Sequence, residues 1–193
     1  MRRGVWKQAN CAGILILLAL AISAAPSAAV SVGDNAPGFT LTDMDGNSQS
    51  LSSQIGNVVL LFFFGPNADV CVNSGRDIQR KFAGSGSYKG LTVLGIDCWN
   101  SPTDQIERMQ VDAGLQFPLL LQGKDVATSY GLPYNSFVVV DGGGVVRYVS
   151  SGPDAGAYDE SAIDSAIRTA MQDANAEKNA TWGKIKTLYG KTR

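Results

Sequence analysis

Seven consecutive apolar residues, Val58-Val-Leu-Leu-Phe-Phe-Phe64, constrain this chain more than any other feature. The run is short and rich in β-branched and aromatic side chains, which predicts a strand. It has no polar face, so it must be covered on both sides, as a strand inside a parallel sheet is. Leu91–Asp97 (LTVLGID) predicts a second strand of the same kind. Between them Gly65-Pro66-Asn67 breaks the first run. A helix follows, with Ile78 and Phe82 four residues apart and Gly84 as its stop.

The remaining elements follow the same logic. Ser101-Pro102-Thr103-Asp104 predicts a helix start, with a capping serine, proline at the first helical position and a carboxylate in the first turn. Ile106, Met109 and Ala113 form its apolar stripe and Gly114 ends it. Phe117–Leu121 is a short apolar segment, and Asp125–Tyr130 predicts a short helix stopped by Gly131. Phe137–Val140 and Val145–Val149 flank Asp141-Gly-Gly-Gly144 and predict a β-hairpin. Ser161–Ala176 predicts an amphipathic helix with Ile163, Ile167, Met171 and Ala174 on one face. Ahead of all this, Asp45-Gly46 marks a turn between segments holding Phe39, Leu41 and Leu51. The order β-α-β-α-β-β-α, after an N-terminal extension, is that of a small α/β sandwich with right-handed crossovers.

Residues 1–29 read as an address. Arg2, Arg3 and Lys7 precede the apolar run Ile14–Ala21, and Ser27-Ala28-Ala29 fits a cleavage site, the pattern of a secretory signal peptide. A retained membrane anchor is the alternative, although a spanning helix needs about 20 apolar residues. Removal leaves 164 of the 193 residues and takes the formal charge from −1 to −4, which argues against a nucleic-acid partner. Cys11 leaves with the signal. The expected layout is a signal peptide (1–29), one domain (30–178) and a basic tail (179–193) destined for the periplasm or for secretion. The tail spaces Trp182, Ile185 and Tyr189 helically among Lys184, Lys186, Lys191 and Arg193. It suits docking on the domain, an anionic membrane surface or a protein partner. The chain has no histidine, which excludes Ser-His and Cys-His catalysis and most zinc sites. No metal or organic cofactor is implied.

Several phrases, in order, resemble the redoxin family, which joins peroxiredoxins of the alkyl-hydroperoxide-reductase and thiol-specific-antioxidant type to TlpA-like periplasmic thioredoxins. Val32-Gly-Asp-Asn-Ala-Pro-Gly-Phe-Thr-Leu41 is similar to its G-D-x-A-P-x-F-x-L entry, and Phe137–Arg147 (FVVVDGGGVVR) to its F-x-I-D-x-x-G-x-x-R hairpin. The likeness covers about residues 32–152. It implies a thioredoxin-like fold: a central mixed sheet with a terminal β-hairpin and helices on both faces. It also implies a thiol oxidoreductase acting on a peroxide or a protein disulfide and drawing on a thiol reductant.

The active-site segment departs from that family. Where members carry Cys-x-x-Cys or Thr-x-x-Cys, this chain has Ala68-Asp69-Val70-Cys71. Phe64 replaces the peroxiredoxin proline. Asn135 stands near the place of the peroxiredoxin arginine or the thioredoxin cis-proline, and Pro133 lies two residues early. Pro66, Ala68, Asp69, Pro133 and Asn135 are therefore the expected neighbours of a reactive Cys71. Arg147 is the nearest alternative cation in sequence.

Cys71 in the first helical turn is expected to have a lowered pKa, opposed by Asp69. An inert, half-buried cysteine is the other reading. Cys98 follows the second strand, either as a small apolar residue or as a resolving partner bridged to Cys71. Trp99 beside it reads as a packing residue. Two functions from different classes follow: a thiol oxidoreductase using Cys71, or a catalytically degenerate thioredoxin-fold module that binds a protein partner.

Overall fold

The computed structural model describes residues 29–189. The expected signal segment up to Ala28, with Cys11, lies outside the described residues, as do residues 190–193. Among the described residues no helix is long and apolar enough to cross a membrane.

The two apolar runs are the neighbouring strands they were expected to be. After a small hairpin of β1 (Thr40–Thr42) and β2 (Ser48–Ser50) come β3 (Val58–Phe64), helix α1 (Asp69–Ile78) and β4 (Leu91–Asp97). Then follow α2 (Thr103–Ala113), β5 (Leu119–Leu120), α3 (Lys124–Tyr130), β6 (Ser136–Val140), β7 (Val146–Ser150) and α4 (Glu160–Tyr189). The main sheet has the order β5-β4-β3-β6-β7. β3 runs parallel to β4, with Phe64 beside Asp97, and antiparallel to β6, with Phe62 beside Phe137. Every residue of β3 is buried.

Alternation along β3 divides the interior into two layers. Leu60, Phe62 and Phe64 face a layer shared with Cys71 and Ile78 of α1, Ile106 and Met109 of α2, and Ile163 and Ile167 of α4. Val59, Leu61 and Phe63 face a layer closed by Ala127 and Tyr130 of α3 and by Phe39 and Leu51 of the extension. Phe62 stacks on Phe137, with ring centroids 5.3 Å apart and planes 2° from parallel. This is the expected thioredoxin-like α/β fold: a mixed sheet, a terminal hairpin and helices on both faces.

The N-terminal extension fastens both edges of the sheet. Asn35 bridges to Val145 beside β7, and Asp43 bridges to Leu120 of β5. The buried Asp43 carboxylate shapes the intervening turn by accepting the N–H groups of Asp45 (3.0 Å) and Asn47 (2.8 Å). Gly46 takes the left-handed conformation there, at φ +83°.

Two local expectations change. Ser101 does not cap α2: Pro102 occupies the N-cap position without a side-chain bond, and the Ser101 hydroxyl donates to Asp97 instead (2.9 Å). α4 extends beyond Ala176 and its helix continues unbroken to Tyr189. At the end of α1 the helix widens into a π-turn over Gln79–Ala83, and Gly84 closes it as expected, its N–H reaching Gln79 O at 2.7 Å.

Candidate functional site

The site is built where β3 ends. From Phe64 the chain turns through Gly65, buried Pro66 and exposed Asn67. Asn67 Nδ2 fixes this loop by donating to Gln105 Oε1 of α2 at 2.7 Å. Ala68 is the N-cap of α1 in an extended conformation (φ −96°, ψ 114°) and supplies no capping bond. Asp69 is exposed and Ala68 is half-buried against the first core layer.

Cys71 lies in the first turn of α1, as expected, and its side chain points into the core, with none of the residue exposed. The Gly65 N–H donates to Sγ at 3.5 Å, and the backbone of Asn135, in the loop before β6, also favours the thiolate. Asn135 is fully buried and left-handed (φ +56°). Its Nδ2 donates to Asp154 O at 2.7 Å, while its Oδ1 is buried without a hydrogen-bond partner among the described residues.

The expected lowering of the Cys71 pKa is corrected. Burial pushes the thiol above its ordinary value, and the backbone of Gly65 and Asn135 pulls the other way without prevailing. The sequence placed Cys71 at the helix start correctly but could not show its side chain turned inward.

The alternative of a bridge to Cys98 is not realised: among the described residues Cys71 and Cys98 are both free. Cys98 packs with Leu94 and Ile96 in the second layer, on the other side of the sheet from Cys71. Its N–H donates to Phe64 O (2.9 Å), and its Sγ–H lies 3.6 Å from Ile96 O. Burial, then the charges of Asp97 and Cys71, push its thiol up. In this arrangement Cys98 is not placed to resolve an oxidised Cys71. The signal was present in the sequence: strand alternation puts residue 98 on the face of Ile96, whereas α1 covers the other face.

Pro133 is exposed, and all described peptide bonds are trans. The Ser136 hydroxyl donates to Pro133 O at 2.7 Å. Arg147 is excluded as a partner of Cys71. It pairs with Asp141 (2.6 Å), beyond the Val140 end of β6, which lies beside Val59 at the start of β3 rather than at its Phe64 end.

Sequence reasoning missed an aromatic roof. Trp99 packs, as expected, but it packs over the site: its indole covers Gly65 so closely that a Cβ there would lie 2.5 Å from the ring. Its edge meets Tyr134 at a centroid distance of 5.0 Å. Trp99 stays 44% exposed, so the roof has an outer face in solvent. Buried Asp97 holds this loop, accepting the N–H groups of Trp99 (3.1 Å) and Ser101 (2.6 Å). A cleft of about 400 Å³ opens instead beside the start of β4, with Phe82, Tyr88 and Phe117 in its lining and none of the expected site residues.

The AhpC/TSA family profile matches residues 32–149. The chain belongs to the AhpC/TSA family. A Mycobacterium tuberculosis protein provisionally named a peroxiredoxin is 40% identical over 105 residues, spanning 51% of this chain and 62% of that protein. The thiol-disulfide oxidoreductase ResA of Geobacillus kaustophilus is 29% identical over 132 residues, covering 64% of this chain and 71% of ResA. A peroxiredoxin-like protein from Aquifex aeolicus shares the fold, with TM-score 0.62 and 15% identity over 75% of this chain and 90% of its own. This AhpC/TSA chain thus stands among redoxin and thioredoxin-like thiol oxidoreductases. Its own first long helix carries one cysteine, Cys71, in the first turn.

Proposed function

We propose that this protein is an exported one-cysteine redoxin in which the Cys71 sulfur reduces a small peroxide. The observation that carries the reading is the Gly65 N–H donated at 3.5 Å to a sulfur in the first turn of α1, whose thiolate the backbone of Asn135 also favours. Fixed donors around a sulfur favour the thiolate wherever water or a reactant replaces the apolar cover. Ala68 removes the second thiol of a Cys-x-x-Cys cycle. A protein disulfide must present a sulfur directly to the attacking thiolate, whereas a peroxide oxygen needs far less room beside a buried Cys71.

The chemistry balances with an external thiol as reductant. The Cys71 thiolate attacks the distal peroxide oxygen, the O–O bond breaks, and the departing alkoxide takes a proton, leaving Cys71 as a sulfenic acid. A first reductant thiol displaces water to form a mixed disulfide. A second releases Cys71 and leaves as the reductant's own disulfide. Export is supported by the charged, apolar and small-residue succession over residues 1–29. The same reading assigns residues 30–178 to the domain and 179–193 to a basic tail that meets a membrane surface or a protein.

The test is peroxide consumption by the purified protein with excess dithiol. Activity should disappear in Cys71→Ser and persist in Cys98→Ala. Activity that survives in Cys71→Ser moves the chemistry elsewhere. Full burial of Cys71 favours a second reading, a non-catalytic module that binds a partner. A wild-type protein inert toward peroxides decides for that reading.

A further inference from the structure

We infer that Trp99 is the gate of Cys71, a positioning residue whose indole sets which reagents reach the sulfur and how readily it ionises. The inference rests on the reading of Cys71 as the reacting group and adds the residue that controls it. The N–H of Gly65 donates to Sγ at 3.5 Å, and the backbone of Asn135 also favours the thiolate. Trp99 lies on Gly65, and its edge meets Tyr134, the residue before Asn135.

The gate has a fixed hinge and a movable leaf. The hinge is the loop that Asp97 clamps at the backbone N–H groups of Trp99 and Ser101 and at the Ser101 hydroxyl. Asn100, left-handed at φ +53°, adds its Oδ1 as acceptor for the Lys124 N–H at 3.0 Å. The leaf is the indole, which is 44% exposed on a residue whose backbone is held. Rotation of this side chain about its own bonds uncovers Gly65 without moving a strand. Gly65 is the matching part: the indole fits there because no Cβ stands in its way.

The molecule also contains its own control. Cys98 is buried in the opposite core layer. Loosening of the whole domain exposes both cysteines, whereas opening of the gate exposes only Cys71.

The experiment follows iodoacetamide labelling of the full chain by mass spectrometry of the Cys71 and Cys98 peptides across a pH series. Trp99→Ala should raise the Cys71 rate about tenfold or more, as expected when a local opening becomes the resting state. It should lower the midpoint of the Cys71 pH profile and leave the Cys98 rate and profile unchanged. Trp99→Phe should restore most of the protection. Gly65→Ala, which drives the indole off by collision, should change Cys71 in the same direction. An unchanged Cys71 rate in Trp99→Ala overturns the gate, and so does a parallel rise at Cys71 and Cys98. Labelling reads access alone. If the gate behaves as described while no variant consumes peroxide, it is the peroxidase reading that fails.

Discussion

Ala68 sits at an N-cap with cap-like dihedral angles and no capping atom. A serine there has an acceptor for the free N–H groups of the first turn, so Ala68→Ser should stabilise the fold by about 1 kcal/mol, measured by urea denaturation. Cys71 leads to a second expectation. Burial raises its pKa in the folded state, so its labelling in the wild type should titrate above the free-thiol value of about 8.5. The native state then holds a proton that the unfolded chain releases. The corresponding stability is fully present below the unfolded pKa and is lost as pH rises through the folded one. A labelling midpoint at or below the free value contradicts this. At this scale the sequence revealed the position of Cys71 but not its orientation. The helix start is a local pattern, while burial draws on α2 and the Asn135 loop, which arrive from distant parts of the chain. The partnership of Trp99, Gly65 and Asn135 was hidden for the same reason, since three separate loops meet there.

The elements were legible wherever burial was strongest. β3 and β4 match the expected runs residue for residue, because strands covered on both faces are apolar at both parities over most of their length. The start of α2 was harder to read, because Ser101 had a choice of partners and the buried Asp97 carboxylate took it. The described buried anchors of α4, Ile163, Ile167 and Ala170, all lie in its first half. Truncation after Lys178 should therefore shift the melting temperature by no more than a few degrees, whereas Ile167→Ala should cost about 2–5 kcal/mol. Denaturation of both variants side by side separates anchor from extension. The β6–β7 hairpin carries an acid-sensitive contact. Burial works against the Asp141 carboxylate, but the N–H groups of Val145 and Gly143 and the Arg147 side chain outweigh it and hold its pKa low. Its contribution is present above the unfolded value of about 3.9 and is lost as pH falls through the folded value. Asp141→Asn should thus be less stable than wild type at neutral pH and converge with it in strong acid; a constant difference down to pH 2 contradicts the assignment.

For the whole molecule, the α/β class and both sheet-covering layers followed from the order of elements, and the family's phrases narrowed the class to a thioredoxin-like fold. What joins the elements was less legible. The bridges at Asn35 and Asp43 rest on backbone groups, and backbone pairing leaves little trace in side-chain patterns. Those two bridges bear on how the protein is born. The extension is the first part of the domain to leave a ribosome or a translocation channel. Its partner Leu120 comes far later in the chain, and Val145 later still. β3 likewise waits for β6 to complete its pairing. Until residues 120, 130 and 145 have been made, the leading end lacks the backbone partners it closes on. The opening segment therefore takes its place on the sheet edges only once the second half of the domain has been made.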